Sequence, residues 1–393
     1  MKTKKLENVK TRLIKAGRPN KVANGYIVNS SVTRASTILF DSIESFQDAG
    51  INRDHKRTLT YGAHGTPITY ELEDLITELE NGYRTRLFPT GLAAITNAIT
   101  SYVKSGDHIL ISDSVYRPVR DFAENFLKRF NVDFDYFDAT KPFYTMSFKP
   151  ETTLVYVESP GSILYEIIDL PKLSEYTHEK KSLLMIDSTW SAGYLYKPLN
   201  FGADIVISAP TKYLSGHSDL TMGSVTTKEN CWDALYLNSD RNGMNTNADD
   251  AWLTLRGART LASRITVQSR NALYVAEWLM RHPLINRVYH PALPSHEGYE
   301  IWKRDYSGCN SLVSFSFKND SNVNINDFVN KLNLFGIGAS WGGYESLVMV
   351  YDMTENRTCS DWEDNPNIVR LHIGLEDITD LVSDLSNALS VLK

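Results

Sequence analysis

Residues 204–219 read DIVISAPTKYLSGHSD, and this stretch decides how the rest of the chain is interpreted. A short apolar run ends at Ser208, and a single lysine, Lys212, follows shortly after it. Burying an ammonium group is costly unless a partner compensates for it. Lys212 is therefore either a solvated loop residue or a group whose amine is used chemically.

The composition limits the classes of protein to consider. The chain has 393 residues, 42% of them hydrophobic, and a formal charge of −6, which gives no reason to expect nucleic acid or an anionic membrane as a partner. Its cysteines, Cys231, Cys309 and Cys359, are widely separated, which fits a reducing compartment. Because no apolar run reaches the roughly 18 residues of a membrane span, we predict a cytoplasmic α/β protein without a membrane partner.

The order of strands and helices predicts the architecture. From Arg84 onward, short apolar strands alternate with helices, which is typical of a mostly parallel sheet covered by helices on both faces. Residues 251–282 form one long amphipathic stretch, read as a helix leading into a smaller α+β domain. The predicted domains are an N-terminal arm that contacts a neighbouring subunit (1–60), a large domain (61–256) and a C-terminal small domain (257–393).

Several residues follow predicted strands, where parallel α/β sheets bind their ligands. Gly91 opens a helix whose N–H groups suit a phosphate, although Thr-Gly before a helix is also an ordinary turn. Asp187 could pair with a protonated ring nitrogen or cap the next helix, and Tyr116 could stack on a planar cofactor or be a half-buried loop tyrosine. Beside such groups, two interpretations of Lys212 stay open: a lysine that forms a Schiff base, and an ordinary solvated lysine.

Arg370 lies inside the apolar strand NIVRLHIG (367–374) and requires an anionic partner. A carboxylate bound by two hydrogen bonds is the best match for a guanidinium group, but a structural ion pair explains the arginine equally well. The chain contains no P-loop motif, and GIGASWGG (336–343) fails as a dinucleotide-binding fingerprint. Its histidines are dispersed and its cysteines unpaired in sequence, so no metal site is predicted.

The stretch around Lys212 resembles the pyridoxal phosphate lysine signature of the cystathionine lyase and synthase family, the Cys/Met-metabolism enzymes of the fold-type I aminotransferase superfamily. The resemblance covers nearly the whole chain and continues in VYVESPGS (155–162), MIDSTWSAG (185–193), SWGGYESL (340–347) and RLHIGLED (370–377). The last two motifs look most like the bacterial cystathionine β-lyase branch. The resemblance implies the fold-type I architecture and pyridoxal 5'-phosphate (PLP) as the cofactor.

The family pattern implies roles for the strand-end residues in cofactor chemistry. Lys212 would hold the cofactor covalently, and Asp187 would keep its pyridine nitrogen protonated, which makes the ring an electron sink. Tyr116 would stack on the ring. The base that removes the Cα proton would be Lys212 or a Tyr116 phenolate.

Further residues would hold the cofactor phosphate. By resemblance, these are the backbone N–H groups of Gly91 and Leu92 and the hydroxyl of Thr211. Tyr61 matches a family tyrosine that reaches the phosphate of the neighbouring subunit. The resemblance thus implies dimers that share their active sites and pair into a homotetramer.

The substrate would be an amino acid held by Arg370, which would clamp its α-carboxylate while Ser340 and Trp341 line the same side. The implied reaction is cleavage of L,L-cystathionine to homocysteine, pyruvate and ammonia in methionine biosynthesis. Slow racemisation of alanine is expected as a side activity, because an amino acid without a leaving group at Cβ can only be reprotonated at Cα.

One position departs from the family pattern. In TYGAHGTPITY (60–70), Ala63 stands where the family commonly has an arginine that crosses to the neighbouring phosphate. We expect the adjacent His64 to supply part of the missing positive charge, with a raised pKa and cofactor retention that weakens as pH rises.

Three other functions remain open at the sequence level. A cystathionine γ-lyase, a γ-synthase or another PLP carbon–sulfur lyase would use the same scaffold. The first two are separable from a β-lyase by whether cystathionine yields pyruvate or 2-oxobutanoate. A transaminase would need a second keto acid. A regulatory cofactor-binding protein would show no turnover, and the intact set of Lys212, Asp187 and Arg370 argues against it.

Overall fold

A computed structural model describes residues 8–17, 25, 27–319, 324–360, 362 and 366–390 of the chain. Residues 1–7, 18–24 and 26 of the predicted N-terminal arm lie outside the described residues. Two sheets organise the rest, one from the first part of the chain and one from the last.

The larger sheet contains seven strands, which are β1 (Arg84–Phe88), β2 (His108–Ser112), β3 (Asp133–Phe137), β4 (Thr152–Glu158), β5 (Leu183–Asp187), β6 (Ile205–Ser208) and β7 (Gly223–Thr227). They lie in the order β1-β7-β6-β5-β4-β2-β3. Neighbours from β3 to β6 run parallel, whereas β7 runs antiparallel to both β6 and β1. The predicted mostly parallel sheet is confirmed.

Helices cover both faces of this sheet, because its central strands are apolar on both sides. Along β4, Val155 and Val157 enter one core, while Leu154 and Tyr156 enter the other. The second core is closed by α4 (Gly91–Tyr102), α5 (Arg117–Asn125) and α7 (Glu229–Arg241), and the first by α3 (Pro67–Glu80) and α6 (Leu170–Glu179).

The smaller sheet has five strands, which are β8 (Ile285–Tyr289), β9 (Leu312–Phe317), β10 (Gly336–Ile337), β11 (Leu347–Asp352) and β12 (Asn367–His372). Their order is β10-β11-β12-β9-β8, and only the β10–β11 pair is parallel. α9 (Leu261–Met280), α11 (Ile325–Lys331) and α13 (Ile378–Ser390) pack against this sheet, and α12 (Met353–Asn356) follows β11. α10 (Tyr299–Asp305) instead packs against the core of the large sheet through Ile301 and Trp302.

The long stretch at residues 251–282 is two helices, where the sequence predicted one. α8 (Ala248–Ala258) ends just before α9 begins. The carbonyl of Gly257 accepts the N–H and the hydroxyl of Thr260, both at 3.0 Å, and a guanidinium N–H of Arg264 at 3.0 Å. Side-chain bonds of this kind compete with the helical hydrogen-bond ladder, which stops at this point. The predicted boundary between residues 256 and 257 falls inside α8 and stays a prediction.

The N-terminal arm is more ordered than its weak periodicity indicated. It contains α1 (Val9–Lys15), whose Leu13 is buried, and α2 (Ile43–Ile51), which begins with a Ser42–Ser45 capping box. Among the described helices of the whole chain, none combines the length and the apolar character needed to cross a bilayer.

The parallel strands deliver their last residues to one edge of the large sheet. Glu158 at the end of β4 is paired in register with Asp187 at the end of β5, and Asp187 with Ile207 of β6. Lys212 follows β6, Tyr116 follows β2, and α4 begins directly after β1. The strand topology therefore gathers these residues at one site.

Candidate active site

A cavity of about 350 Å³ lies at this edge and extends to the small sheet. The structure brings together every predicted site residue except Tyr61. The lining includes Gly91, Leu92, Tyr116, Asp187, Thr211, Lys212, Ser340, Trp341 and Arg370.

The amine of Lys212 points toward the wall of the cavity that carries Ser340 and Trp341. Its Nζ donates to Ser340 Oγ at 2.5 Å and lies 5.2 Å from the centre of the Trp341 ring. Burial, followed by the positive charge of Arg370, lowers the pKa of Lys212 to about 8, and Asp187 opposes the shift. The amine is thus far easier to deprotonate than that of a solvated lysine.

The backbone after Ser340 closes tightly over the lysine. Gly342 adopts φ +90°, and a Cβ there would lie 2.8 Å from the carbonyl carbon of Lys212. Only glycine combines this backbone conformation with so close an approach. Ser340 itself has φ +80°, a conformation that costs a non-glycine residue energy and is characteristic of functional sites.

Asp187 is a buried carboxylate at the base of the cavity. It accepts the backbone N–H of Thr189 at 2.9 Å. Burial raises its pKa, whereas the hydrogen bonds from Thr189 and the charge of Lys212 act in the opposite direction. A buried carboxylate without a directly bonded cation suits a cationic ligand group, such as a protonated ring nitrogen.

Glu158, a partly buried residue, supplies a second carboxyl group beside Asp187. Its Oε2 accepts the backbone N–H of Tyr116 at 2.6 Å. Burial, with the repulsion of Asp187, raises its pKa well above the usual range. Burial, followed by the charge of Glu158, also raises the pKa of Tyr116 above 10, so a Tyr116 phenolate is disfavoured as the base.

The start of α4 provides free backbone donors. Thr90 caps the helix by accepting the N–H of Ala93 at 3.0 Å, and the first backbone bond of the helix joins Ala94 N to the Thr90 carbonyl. The N–H groups of Gly91 and Leu92 precede that bond and point out of the helix, where the dipole favours an anion.

Thr211 is less available than predicted. Its hydroxyl donates to the Met222 carbonyl at 3.0 Å and accepts the Met222 N–H at 2.8 Å. A hydroxyl has one proton to donate. Its predicted contact with a phosphate would therefore require the bond to Met222 to be exchanged, and it stays a prediction.

Arg370 occupies the opposite wall. One guanidinium N–H donates to the Ser340 carbonyl at 3.0 Å, and its Cζ lies 5.0 Å from the centre of the Tyr351 ring. Its Nε is buried and has no hydrogen-bond partner among the described residues. Arg370 has no carboxylate partner within the described chain, so the alternative of a structural ion pair is not supported.

Tyr61 lies outside the cavity, with nearly half of its surface exposed, at 47%. The nearby His64 has its Nε2 3.1 Å from Arg53 Nη1, and Arg53 pairs with Asp240 at 2.7 Å. Burial, followed by the charge of Arg53, lowers the pKa of His64. Within a single chain, the positively charged group beside His64 is the guanidinium of Arg53. Compensation for Ala63 by His64 concerns the phosphate of a neighbouring subunit and stays a prediction.

Glu158, Arg117 and Tyr351 are among the cavity-lining residues to which sequence reasoning gave no role. Glu158 could have been identified from the sequence, because it ends its strand as Asp187 ends the next one. Arg117 and Tyr351 could not, because the spacing around them in the sequence does not indicate which wall they face.

A family model described as Cys/Met metabolism PLP-dependent enzyme matches residues 10–390. The chain belongs to this family. The cystathionine beta-lyase of Escherichia coli K12 is 40% identical over 392 residues, 98% of this chain and 98% of that protein. The L-alanine/L-glutamate racemase of Wolbachia pipientis wMel is 34% identical, over 97% of this chain and 96% of that protein.

Solved structures of this family share the fold. A cystathionine gamma-lyase from Lactobacillus plantarum, crystallised with L-serine, superposes with a TM-score of 0.88 at 26% identity, covering 98% of this chain and 99% of its own. The predicted family, the fold-type I architecture and PLP as the cofactor are confirmed.

The cavity fits pyridoxal phosphate. Its anionic end matches the free N–H groups at Gly91 and Leu92, its ring nitrogen matches the buried carboxylate of Asp187, and its aldehyde matches the desolvated amine of Lys212. A protein of this family supplies binding and orientation, while the cofactor supplies the electron sink.

The pKa of Lys212 leads to a pH prediction. Only the neutral amine attacks an aldehyde, so the cofactor-free protein should bind added pyridoxal phosphate roughly tenfold faster per pH unit up to a pH of about 8, and no faster beyond it. The rise of visible absorbance after mixing measures this rate. N-acetyl-lysine methyl ester is the control, since its rate should keep rising toward pH 10. An equally late plateau in the protein would show that Lys212 is an ordinary lysine.

Proposed function

We propose that this family member is a cystathionine β-lyase that converts L,L-cystathionine into homocysteine, pyruvate and ammonia in methionine biosynthesis. The observation that carries the proposal is the 40% identity to the Escherichia coli cystathionine beta-lyase over 98% of both chains. A cavity that combines Lys212, Asp187 and Arg370 supports it, because an elimination needs a base, a cofactor anchor and a carboxylate site.

The proposed role of the cavity walls is to bind the cofactor and to orient the substrate beside it. Asp187, Gly91 and Leu92 hold the cofactor at its two ends, and Tyr116 covers its ring. Arg370 binds the α-carboxylate of the substrate, and its unpartnered Nε is a donor suited to that carboxylate. Ser340 and Trp341 line the substrate side next to Lys212.

Lys212 is the proposed base. When bound, pyridoxal phosphate stabilises negative charge at Cα. Lys212 takes the Cα proton, the electrons of the C–H bond form a Cα–Cβ double bond, and homocysteine leaves from Cβ as a thiolate. Released 2-aminoacrylate then hydrolyses to pyruvate and ammonia. The lowered pKa of Lys212 and the raised pKa of Tyr116 favour the lysine over the tyrosine for this step.

A homotetramer built from dimers with shared active sites is part of the proposal. Tyr61, exposed and outside its own cavity, is available to the cofactor phosphate of a neighbouring subunit. The arm carries exposed apolar side chains that suit a subunit contact, namely Val28, Leu39 and Ile51. The proposed location is the cytoplasm, in keeping with three cysteines that form no disulfide.

Product identification tests the function. The purified enzyme, loaded with pyridoxal phosphate, is incubated with L,L-cystathionine, and the keto acid and the thiol are identified by mass spectrometry. Pyruvate with homocysteine supports the proposal. 2-Oxobutanoate with cysteine would instead make the protein a γ-lyase.

Slow racemisation of alanine is a second proposed activity, favoured by the 34% identity to an L-alanine/L-glutamate racemase. Alanine has no leaving group at Cβ, so the Cα proton removed by Lys212 can only be replaced. Tyr116 keeps its proton because its pKa is raised, and it could deliver that proton from the other face.

Incubation of L-alanine in D₂O measures this activity. We expect deuterium at Cα together with a slow rise of D-alanine, and Tyr116→Phe should reduce D-alanine more than deuterium incorporation. Deuteration without any D-alanine would mean that only one face of Cα is served.

A further inference from the structure

Arg117 is a charged residue of the cavity wall that the proposed chemistry leaves without a role. The charged lining residues are Arg117, Glu158, Asp187, Lys212 and Arg370. Asp187, Lys212 and Arg370 have roles in cofactor or α-carboxylate binding, and Glu158 holds the backbone of Tyr116. Arg117 is thus a second guanidinium group facing the space that a substrate would fill.

The two guanidinium groups border the cavity on connected walls. Arg117 directly follows Tyr116 and begins α5 of the large domain. Its Nη1 donates to the Glu355 carbonyl in α12, the short helix that follows β11. Tyr351 of β11 lies against Arg370. The segment from Tyr351 to Glu355 therefore connects the proposed α-carboxylate site to Arg117.

The side chain of Arg117 is available to a ligand. It is 43% exposed, and its ion pair joins Nε to Asp121 Oδ1 at 3.3 Å, with Asp121 54% exposed. Half-exposed pairs of this i,i+4 kind are weak and readily exchanged. Its Nη2 has no hydrogen-bond partner among the described residues.

The neighbouring Arg120 shows what a structural arginine looks like in the same helix. Its side chain is 2% exposed, and it pairs with Asp113 at 2.8 Å and with the Thr358 hydroxyl at 2.8 Å. Arg117 has no such buried carboxylate. A structural role of the Arg120 type therefore does not account for it.

The chemistry of the substrate matches this second cation. With its α-carboxylate on Arg370, an amino acid directs its side chain toward the remaining walls of the cavity. A planar guanidinium group binds a carboxylate through two parallel hydrogen bonds. We propose that Arg117 binds a carboxylate at the distal end of the substrate side chain and makes the enzyme selective for S-substituted cysteines with an acidic terminus. This inference rests on the proposed carbon–sulfur lyase function.

A matched pair of substrates tests the inference. S-(2-carboxyethyl)-L-cysteine and S-propyl-L-cysteine have side chains of similar length and differ in the terminal carboxylate. Pyruvate release from each gives a ratio of kcat/KM values for wild type, Arg117→Gln, Arg117→Lys and the control Arg129→Gln. Arg129 lies in the same region of the chain. It is exposed and does not line the cavity.

The ratio is kcat/KM for the acidic compound divided by kcat/KM for the propyl compound. We expect Arg117→Gln to lower this ratio by about tenfold or more, the effect of losing a charged hydrogen-bonded contact. Arg117→Lys should recover part of the ratio, and Arg129→Gln should keep it. An equal loss of kcat/KM for both compounds in Arg117→Gln would assign a structural role and overturn the inference, as would an unchanged ratio.

Failure of the lyase function is distinguishable from failure of this inference. If wild type releases pyruvate neither from these two compounds nor from L,L-cystathionine, the lyase proposal is wrong. If only L,L-cystathionine is cleaved, the lyase proposal stands. In both cases calorimetric binding of the same two compounds to the cofactor-loaded protein replaces turnover. A preference for the acidic compound that disappears in Arg117→Gln would then support the role of Arg117. Equal binding by wild type and Arg117→Gln would overturn it.

Discussion

Replacing Lys212 with alanine is expected to lower turnover of cystathionine by at least about a thousandfold, because the variant loses both the cofactor anchor and the proposed base. The visible absorbance of the lysine-bound cofactor should disappear with it. Steady-state pyruvate release and an absorbance spectrum measure the two effects. The large expected effect follows from the absence of a second lysine in the cavity lining of the described chain.

The control for this variant is Lys104→Ala, which removes an exposed lysine outside the cavity lining. Circular dichroism should show that both variants fold. Borohydride reduction of the wild type should fix the cofactor on the peptide that contains Lys212. Recovery of a reducible cofactor linkage in Lys212→Ala would refute the assignment of this lysine.

Replacing Arg370 with alanine is expected to lower kcat/KM. The expected loss of transition-state stabilisation is about 2–5 kcal/mol, the range for losing one partner of a buried charged pair. Every amino acid substrate carries the α-carboxylate that Arg370 is proposed to bind. The loss should therefore be similar for the carboxyethyl and propyl cysteines, unlike the loss at Arg117. Kinetics with both compounds measure it.

Arg370→Lys is the matched variant, because it keeps the charge and loses the two-bond geometry. It should fall between wild type and alanine. Arg370 also donates to the Ser340 carbonyl, so the cofactor absorbance must be recorded to detect a displaced loop. A loss below about tenfold in Arg370→Ala would move the α-carboxylate site to another residue.

The class of fold and the grouping of the strand-end residues can be predicted from residue order alone. Alternating apolar strands and helices predicted the parallel sheet, because strands buried on both faces must be apolar throughout. Parallel strands bring their carboxyl ends to one edge. Lys212, Asp187 and Tyr116 could therefore be grouped before any contact was known. Arg370 stood out as an arginine inside an apolar strand, and the family motifs added Ser340 and Trp341.

The hydrogen-bond partners of these groups, by contrast, depend on the folded structure. The hydroxyl of Thr211 is bonded to Met222, and the long stretch after residue 250 breaks where Gly257 accepts bonds from Thr260 and Arg264. Hydrogen bonds of this kind depend on local geometry and compete with regular structure. Residue order alone does not reveal which of the competing bonds forms.

The ionisation of the site also depends on three-dimensional proximity. Lys212 is a strand-end lysine in the sequence, but its pKa of about 8 results from burial and from Arg370, which lies far along the chain. Arg117 contacts the carbonyl of Glu355 in α12, which lies 238 residues further along the chain. Desolvation and Coulomb energies are determined by distances between elements far apart in sequence, so only the folded structure could decide them.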